Sequence, residues 1–155
     1  VGGGYMSDDH LDQCRAAVAD EPRIQFAGFH ENPARFYVDC LIYFQPSRIE
    51  SYGLSAAEAM RKGIPCVVTR VGGLSELVID KETGYVCEDG DADARVEAIL
   101  MLLADDRRRA AMGEASRRRF DLHFSLPIWR KEMRRIHEGL LEITHDERSR
   151  PGVPA

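Results

Sequence analysis

Apolar residues fall along this chain in two alternating rhythms. Leu11, Cys14 and Val18 recur at helical spacing. Ser7 precedes them where a cap belongs, with Asp8 and Asp9 at the positive helix end; the pattern predicts a helix to about Ala19. Residues 1–4 read as a strand stub ending in a glycine turn, and the short apolar run at 24–27 predicts a strand. Asn32 as cap, with Pro33 at the first helical position, predicts a short helix ending near Asp39. A strand is expected at 41–44, then a polar loop, then a helix from Gly53 to Lys62 stopped by Gly63. The β-forming run 64–69 leads into Gly72-Gly73 and a short helix at 74–79, and a last strand is expected at 84–87. Asp91 caps a helix through about Ala104, and another spans 106–122. Ser125 is expected to cap a long final helix from Leu126 to about Thr144, with Pro127 in its first turn.

The strands are short and apolar throughout instead of alternating, as in a parallel sheet covered on both faces. The fold class is therefore α/β: a Rossmann-like doubly wound parallel sheet with helices on both faces and a long C-terminal helix. Ligands bind such sheets at the carboxyl ends of the strands. Each glycine turn lies between a strand and a helix on that edge, at 2–4, 28, 53 and 72–73, so these turns are expected to converge. Residues 1–144 read as one domain. Residues 145–155 are polar and bear Pro and Gly, and are expected to form a disordered tail.

Composition narrows the picture. The chain has 155 residues, the size of one domain, and 21 Lys and Arg against 26 Asp and Glu give a net charge of −5. That balance argues against nucleic acid as a partner. No apolar run approaches the roughly 18 to 20 residues that span a bilayer, and no secretory signal is present. Val1 falls inside a strand pattern, so an upstream segment is expected. Cys14, Cys40, Cys66 and Cys87 include no close pair, which fits neither a zinc nor a redox motif. Reduced thiols in a cytoplasmic protein are expected. The five histidines show no paired ligand spacing, so no metal is assigned.

The candidate chemistry lies in the loop and helix 46–60. The first amides of a helix starting near Gly53 lack intrahelical partners. Together with the helix dipole they form a phosphate site. Glu50 lies in the loop before it, and Glu58 about 6 to 8 Å along the axis beyond it. A carboxylate accepts two hydrogen bonds from adjacent hydroxyls. Two carboxylates flanking a phosphate site would suit a ligand built as diol, diphosphate, diol. Spacing alone also allows Glu58 to be an ordinary surface acid and Glu50 a solvated one. Gly72-Gly73, taken alone, reads as a cap for the following helix.

The run Pro46-Ser47, Glu50-Ser51-Tyr52-Gly53-Leu54, Glu58-Ala59-Met60 and Gly63-Ile64-Pro65, followed by Gly72-Gly73, Glu76-Leu77 and Thr83-Gly84-Tyr85, resembles the C-terminal domain of retaining glycosyltransferases of the GT-B fold, the family 4 group. The likeness covers nearly the whole chain, and two glutamates with seven residues between them are that family's signature. The resemblance implies that Glu50 contacts the donor sugar near the reaction centre and is the catalytic candidate. It implies that Glu58 binds the ribose hydroxyls, and that the backbone of Tyr52, Gly53 and Leu54 meets the sugar and diphosphate. Gly28 and Phe29 match the turn beside the nucleobase. Gly2 to Gly4 depart from the family's Gly-Asp/Glu-Gly turn.

The implied activity is hexosyl transfer, with retention, from a nucleotide-diphosphate sugar to an acceptor hydroxyl. The sugar nucleotide is a substrate, and no cofactor or metal is implied. The implied basic pair for the diphosphate and the acceptor-binding N-terminal domain find no match in these residues. The chain is accordingly expected to be one half of a two-domain enzyme, inactive alone and prone to self-association through its last helix. The alternative is a non-catalytic α/β module that binds a nucleotide or a protein. From Asp105 to Arg135 ten basic residues face five acidic ones. A solvated face laced by ion pairs is the plainer reading of these helices; peripheral contact with the inner face of a membrane is the other.

Overall fold

A computed structural model describes residues 8–149, and the side chains of residues 9–140. It divides into two compact units, Val1–Asp39 and Cys40–Ala155. The Gly2 to Gly4 turn and the Ser7 cap lie outside the described residues.

In the first unit, helix α1 spans Asp8–Ala17. Asn32 accepts a hydrogen bond from the Ala34 amide at 3.1 Å, and Pro33 follows with its φ preset for helix. The result is a single 3-10 turn, Pro33–Tyr37. The strand expected at 24–27 is absent: the run has no ladder partner among the described residues. An apolar run is a strand only when a neighbour takes up its backbone groups.

The second unit is a three-stranded parallel sheet in the order β1-β2-β3, with β1 at Tyr43–Gln45, β2 at Cys66–Thr69 and β3 at Gly84–Cys87. Helix α2 (Leu54–Arg61) joins β1 to β2, and α3 (Leu74–Leu77) lies between β2 and β3. Then come α4 (Ala92–Ala104), α5 (Asp106–His123) and α6 (Leu126–Ser149).

Side chains of β2 alternate between faces. Val67 joins Tyr85, Cys87, Ala98, Leu102 and Met112 in a core beneath α4 and α5. Cys66 turns the other way and its thiol meets the Ala56 carbonyl of α2. Both faces of the sheet are thus covered, which is why β2 is buried at every position.

Asp91 and Asp105 cap α4 and α5, accepting from the amides of Ala94 and Arg108, both at 2.9 Å. Ser125 stands at the cap position of α6, its carbonyl accepting from the Trp129 amide at 3.0 Å, but its side chain does not cap. Its hydroxyl donates back to the Asp121 carbonyl of α5 at 2.9 Å, the i−4 bond open to serine near a helix end. Helix α6 runs to Ser149, past the expected end near Thr144, because neither Pro nor Gly occurs between Thr144 and Pro151. The rest of the expected tail lies outside the described residues. All four cysteines are free thiols, and no described helix is long and apolar enough to cross a membrane.

Candidate functional site

The loop between β1 and α2 leaves the carboxyl edge of the sheet, where Glu50 folds back on its own chain. Glu50 Oε1 accepts from the amides of Tyr52 at 3.3 Å and Gly53 at 3.1 Å. Its Oε2 accepts from Gln45 Nε2 at 2.7 Å. Gln45 is the last residue of β1, and its Oε1 accepts from the Tyr43 hydroxyl at 2.9 Å. Ser55, in the first turn of α2, hydrogen-bonds to the Tyr43 side chain. The carboxylate is thus held from three directions by strand, loop and helix.

Gly53 caps α2 in a left-handed conformation, φ 86°. A Cβ there would lie 2.7 Å from Leu74 Cδ2 and 2.9 Å from Leu77 Cδ1. The backbone thus favours glycine, and any larger residue would also push aside the leucine side-chain ends of α3. The Gly72-Gly73 turn does more than cap α3. A Cβ on Gly72 would meet the Glu50 carbonyl oxygen at 1.8 Å, and one on Gly73 the Tyr52 carbonyl oxygen at 2.6 Å. The two glycine turns of this unit do converge, and their backbones touch.

The structure brings Glu50, Tyr52, Gly53, Leu54 and Glu58 into one loop and one helix. Glu58 is exposed in the second turn of α2, and Glu50 lies in the loop before that helix. The Tyr43 phenol lies within electrostatic reach of both carboxylates. Burial above all pushes it up to about 12, against the Ser55 bond that lowers it; Cys66 and then the two carboxylates add smaller upward pushes. The amides of Tyr52 and Gly53 are taken up by Glu50, and the Ala57 amide bonds the Gly53 carbonyl at 3.0 Å. The first-turn amides of Leu54, Ser55 and Ala56 are those that the helix itself leaves without an i−4 acceptor. Gly28 (φ 69°) and Phe29 belong to the first unit, where nothing lies within 4 Å of a Cβ built on Gly28.

Tyr43, Gln45 and Ser55 were not singled out from sequence. The available signal was a glutamine closing an otherwise apolar strand, two residues from a tyrosine on the same face. Arg119 was counted only as part of a basic face. It is instead partly buried, with Nε donating to Leu77 O at 2.8 Å and Nη2 to Glu76 O at 2.6 Å. It thereby holds the carboxyl end of α3. Arg135 follows the plainer reading, pairing with Glu132 at 2.9 Å within its helix, whereas Arg109 pairs with Asp106 at 2.7 Å and also donates to Leu102 O at 2.8 Å. Among the described residues no group of three His, Cys, Asp or Glu could hold a metal ion. A cleft of about 640 Å³ beside β3, α4 and α5 includes no residue of the Glu50 loop.

Comparison with known proteins gives a consistent result. Residues 6–119 match the family model described as Glycosyl transferases group 1. The N-acetyl-alpha-D-glucosaminyl L-malate synthase of Bacillus anthracis is 38% identical over 97 residues, 63% of this chain and 26% of that protein. The lipopolysaccharide core biosynthesis mannosyltransferase LpsB of Rhizobium meliloti is 33% identical over 129 residues, 82% of this chain and 36% of that protein. The chain thus spans about a quarter to a third of the length of these two relatives. Among solved structures, the sucrose-phosphate synthase of Thermosynechococcus elongatus superposes with a TM-score of 0.78 at 29% identity, over 87% of this chain and 34% of that one. HepE of Anabaena, solved in complex with UDP, superposes with a TM-score of 0.77 at 21% identity, over 84% of this chain and 36% of that one.

Proposed function

The chain belongs to the glycosyl transferases group 1 family, and we propose that it forms the donor-binding half of a retaining enzyme that moves a hexosyl group from a nucleotide-diphosphate sugar to an acceptor hydroxyl. The observation that carries this reading is the pair of carboxylates on either side of the α2 N-terminus, with Glu50 anchored and Glu58 exposed.

In this reading Glu58 takes the ribose diol, and the amides opening α2 from Leu54 onward take the diphosphate. Glu50 faces the sugar hydroxyls. The backbone of Tyr52 and Gly53 shapes the sugar pocket. The helix dipole stabilises the charge growing on the leaving diphosphate as the glycosidic bond breaks. No metal or cofactor is assigned a step. Acceptor binding falls to an N-terminal half of the GT-B fold, and the chain of residues 1–155 alone transfers no sugar. The exposed apolar stripe of α6 (Trp129, Met133, Ile136 and Leu140) supports contact with that half, or self-association where it is lacking. A cytoplasmic enzyme working at the inner face of a membrane fits the basic α5, with six Arg against three Asp and Glu.

Titration calorimetry with UDP, GDP and ADP, and with one sugar conjugate of each, tests the donor reading. One base series is expected to bind, and Glu58→Gln to weaken it. Tight binding that ignores Glu58→Gln and Glu50→Gln would count against it.

A further inference from the structure

We infer that Gln45 is a positioning residue for Glu50: its carboxamide selects the Glu50 conformation in which one carboxylate oxygen closes on the Tyr52 and Gly53 amides and the other is fixed at the β1 edge. The inference rests on the donor reading of Glu50, but its geometry stands without a ligand.

The direction of each bond follows from chemistry. An ionised carboxylate only accepts, so the Gln45 group facing Glu50 Oε2 at 2.7 Å is its NH₂. The same NH₂ reaches Ser47 Oγ at 3.2 Å, which ties both ends of the loop to one side chain. Gln45 Oε1 then faces the Tyr43 hydroxyl, which must donate, at 2.9 Å. The phenol's one hydrogen is spent on Gln45, so the Tyr43 oxygen is left to accept in its bond with Ser55. Every member has a partner of the right sign, so a flipped amide would break two bonds at once. Tyr43 and Gln45 are both half-buried, so water replaces these bonds only in part. The chain starts on β1 and on α2, the two rigid elements flanking the loop. Glu50 therefore takes its position from the scaffold and not from loop conformation alone.

The test uses Gln45→Met, which keeps the length of the side chain and removes its polar atoms. Amide hydrogen exchange on the whole chain provides a readout that needs no ligand. Gln45→Met is expected to speed exchange at Gly53 and Tyr52 about tenfold, the loss of one charge-assisted bond, with α4 and α5 unchanged. Tyr43→Phe should act in the same direction and more weakly. Unchanged exchange at Gly53 and Tyr52 overturns the inference, as does equal acceleration throughout the unit, which would mark Gln45 as merely structural. Calorimetry supplies the second readout. In Gln45→Met, affinity for the nucleotide sugar should fall more than affinity for the nucleoside diphosphate alone; equal losses overturn the inference. If no nucleotide or nucleotide sugar binds even the unmodified chain, the donor reading falls, and the exchange result still decides the role of Gln45.

Discussion

The carbonyl oxygen of Glu50 stands 1.8 Å from where a Cβ on Gly72 would be. Nothing but hydrogen fits at that position. The turn after β2 is consequently the floor on which the loop after β1 rests. Gly72→Ala is expected to force the two backbones apart and to lower stability by about 2–3 kcal/mol. Gly90→Ala is the control: Gly90 also has a positive φ, 83°, but nothing lies within 4 Å of its Cβ position. It should cost only the backbone term, about 1 kcal/mol. Urea denaturation of both variants measures the difference, and equal losses would show that the contact with Glu50 carries no weight.

This contact also marks where sequence reading ended. Strands at 84–87 and around 66–69, and the helix opened by Asp91, were legible because cap, period and stop all agree there. The pair Glu50 and Glu58 was legible because spacing along a loop and helix is local. That Gly72 touches Glu50 was not, since twenty-one residues of chain lie between them and only the register of β1 against β2 brings them together. Gln45 was missed for a related reason. A glutamine at a strand end is commonplace until its partner, five residues on, is seen to fold back. The expected strand at 24–27 failed differently: the run has no ladder partner among the described residues and Ile24 and Phe26 are exposed, so apolar composition alone secured neither pairing nor burial there.

Glu58 stands exposed on α2, so its replacement by Gln should leave folding stability within about 1 kcal/mol. If it binds a ribose diol, the same change removes a charged acceptor and should weaken nucleotide binding about tenfold or more. Paired denaturation and calorimetry separate the two effects. A variant that loses stability and binding in proportion would speak for a structural role.

The pH dependence of stability has a definite sign. Burial raises Tyr43 from an ordinary 10.0 to about 12 and pushes the Cys66 thiol up as well. In both cases the unfolded chain releases its proton first. Between the unfolded and folded values the unfolded state binds fewer protons, so stability falls as pH rises. The Tyr43 contribution is fully present below pH about 10 and is lost on approach to pH 12. Denaturation midpoints taken from pH 8 upward should decline, and Tyr43→Phe should remove the part of the decline above pH about 10. A decline of identical slope in Tyr43→Phe would assign it to other groups.

Arg119 supplies the last link between scaffold and site. Its guanidinium donates to the carbonyls of Glu76 and Leu77 at the end of α3, where a helix leaves acceptors unpaired. Leu74 and Leu77 of that helix pack beneath Gly53, and Gly72-Gly73 opens it beneath Glu50. Arg119→Met keeps the apolar stem and removes both bonds, with an expected loss of about 1.5–3 kcal/mol. Arg117 provides the comparison, since it reaches Asp121 only at 3.9 Å, with both side chains more than half exposed. Arg117→Met should change stability by less than about 0.5 kcal/mol. Hydrogen exchange adds spatial detail: in Arg119→Met the loss of protection should extend from α3 to the Gly53 amide, two contacts away, while α4 stays protected. Loss confined to α5, or equal effects of the two arginine variants, would reduce Arg119 to one more member of a basic face.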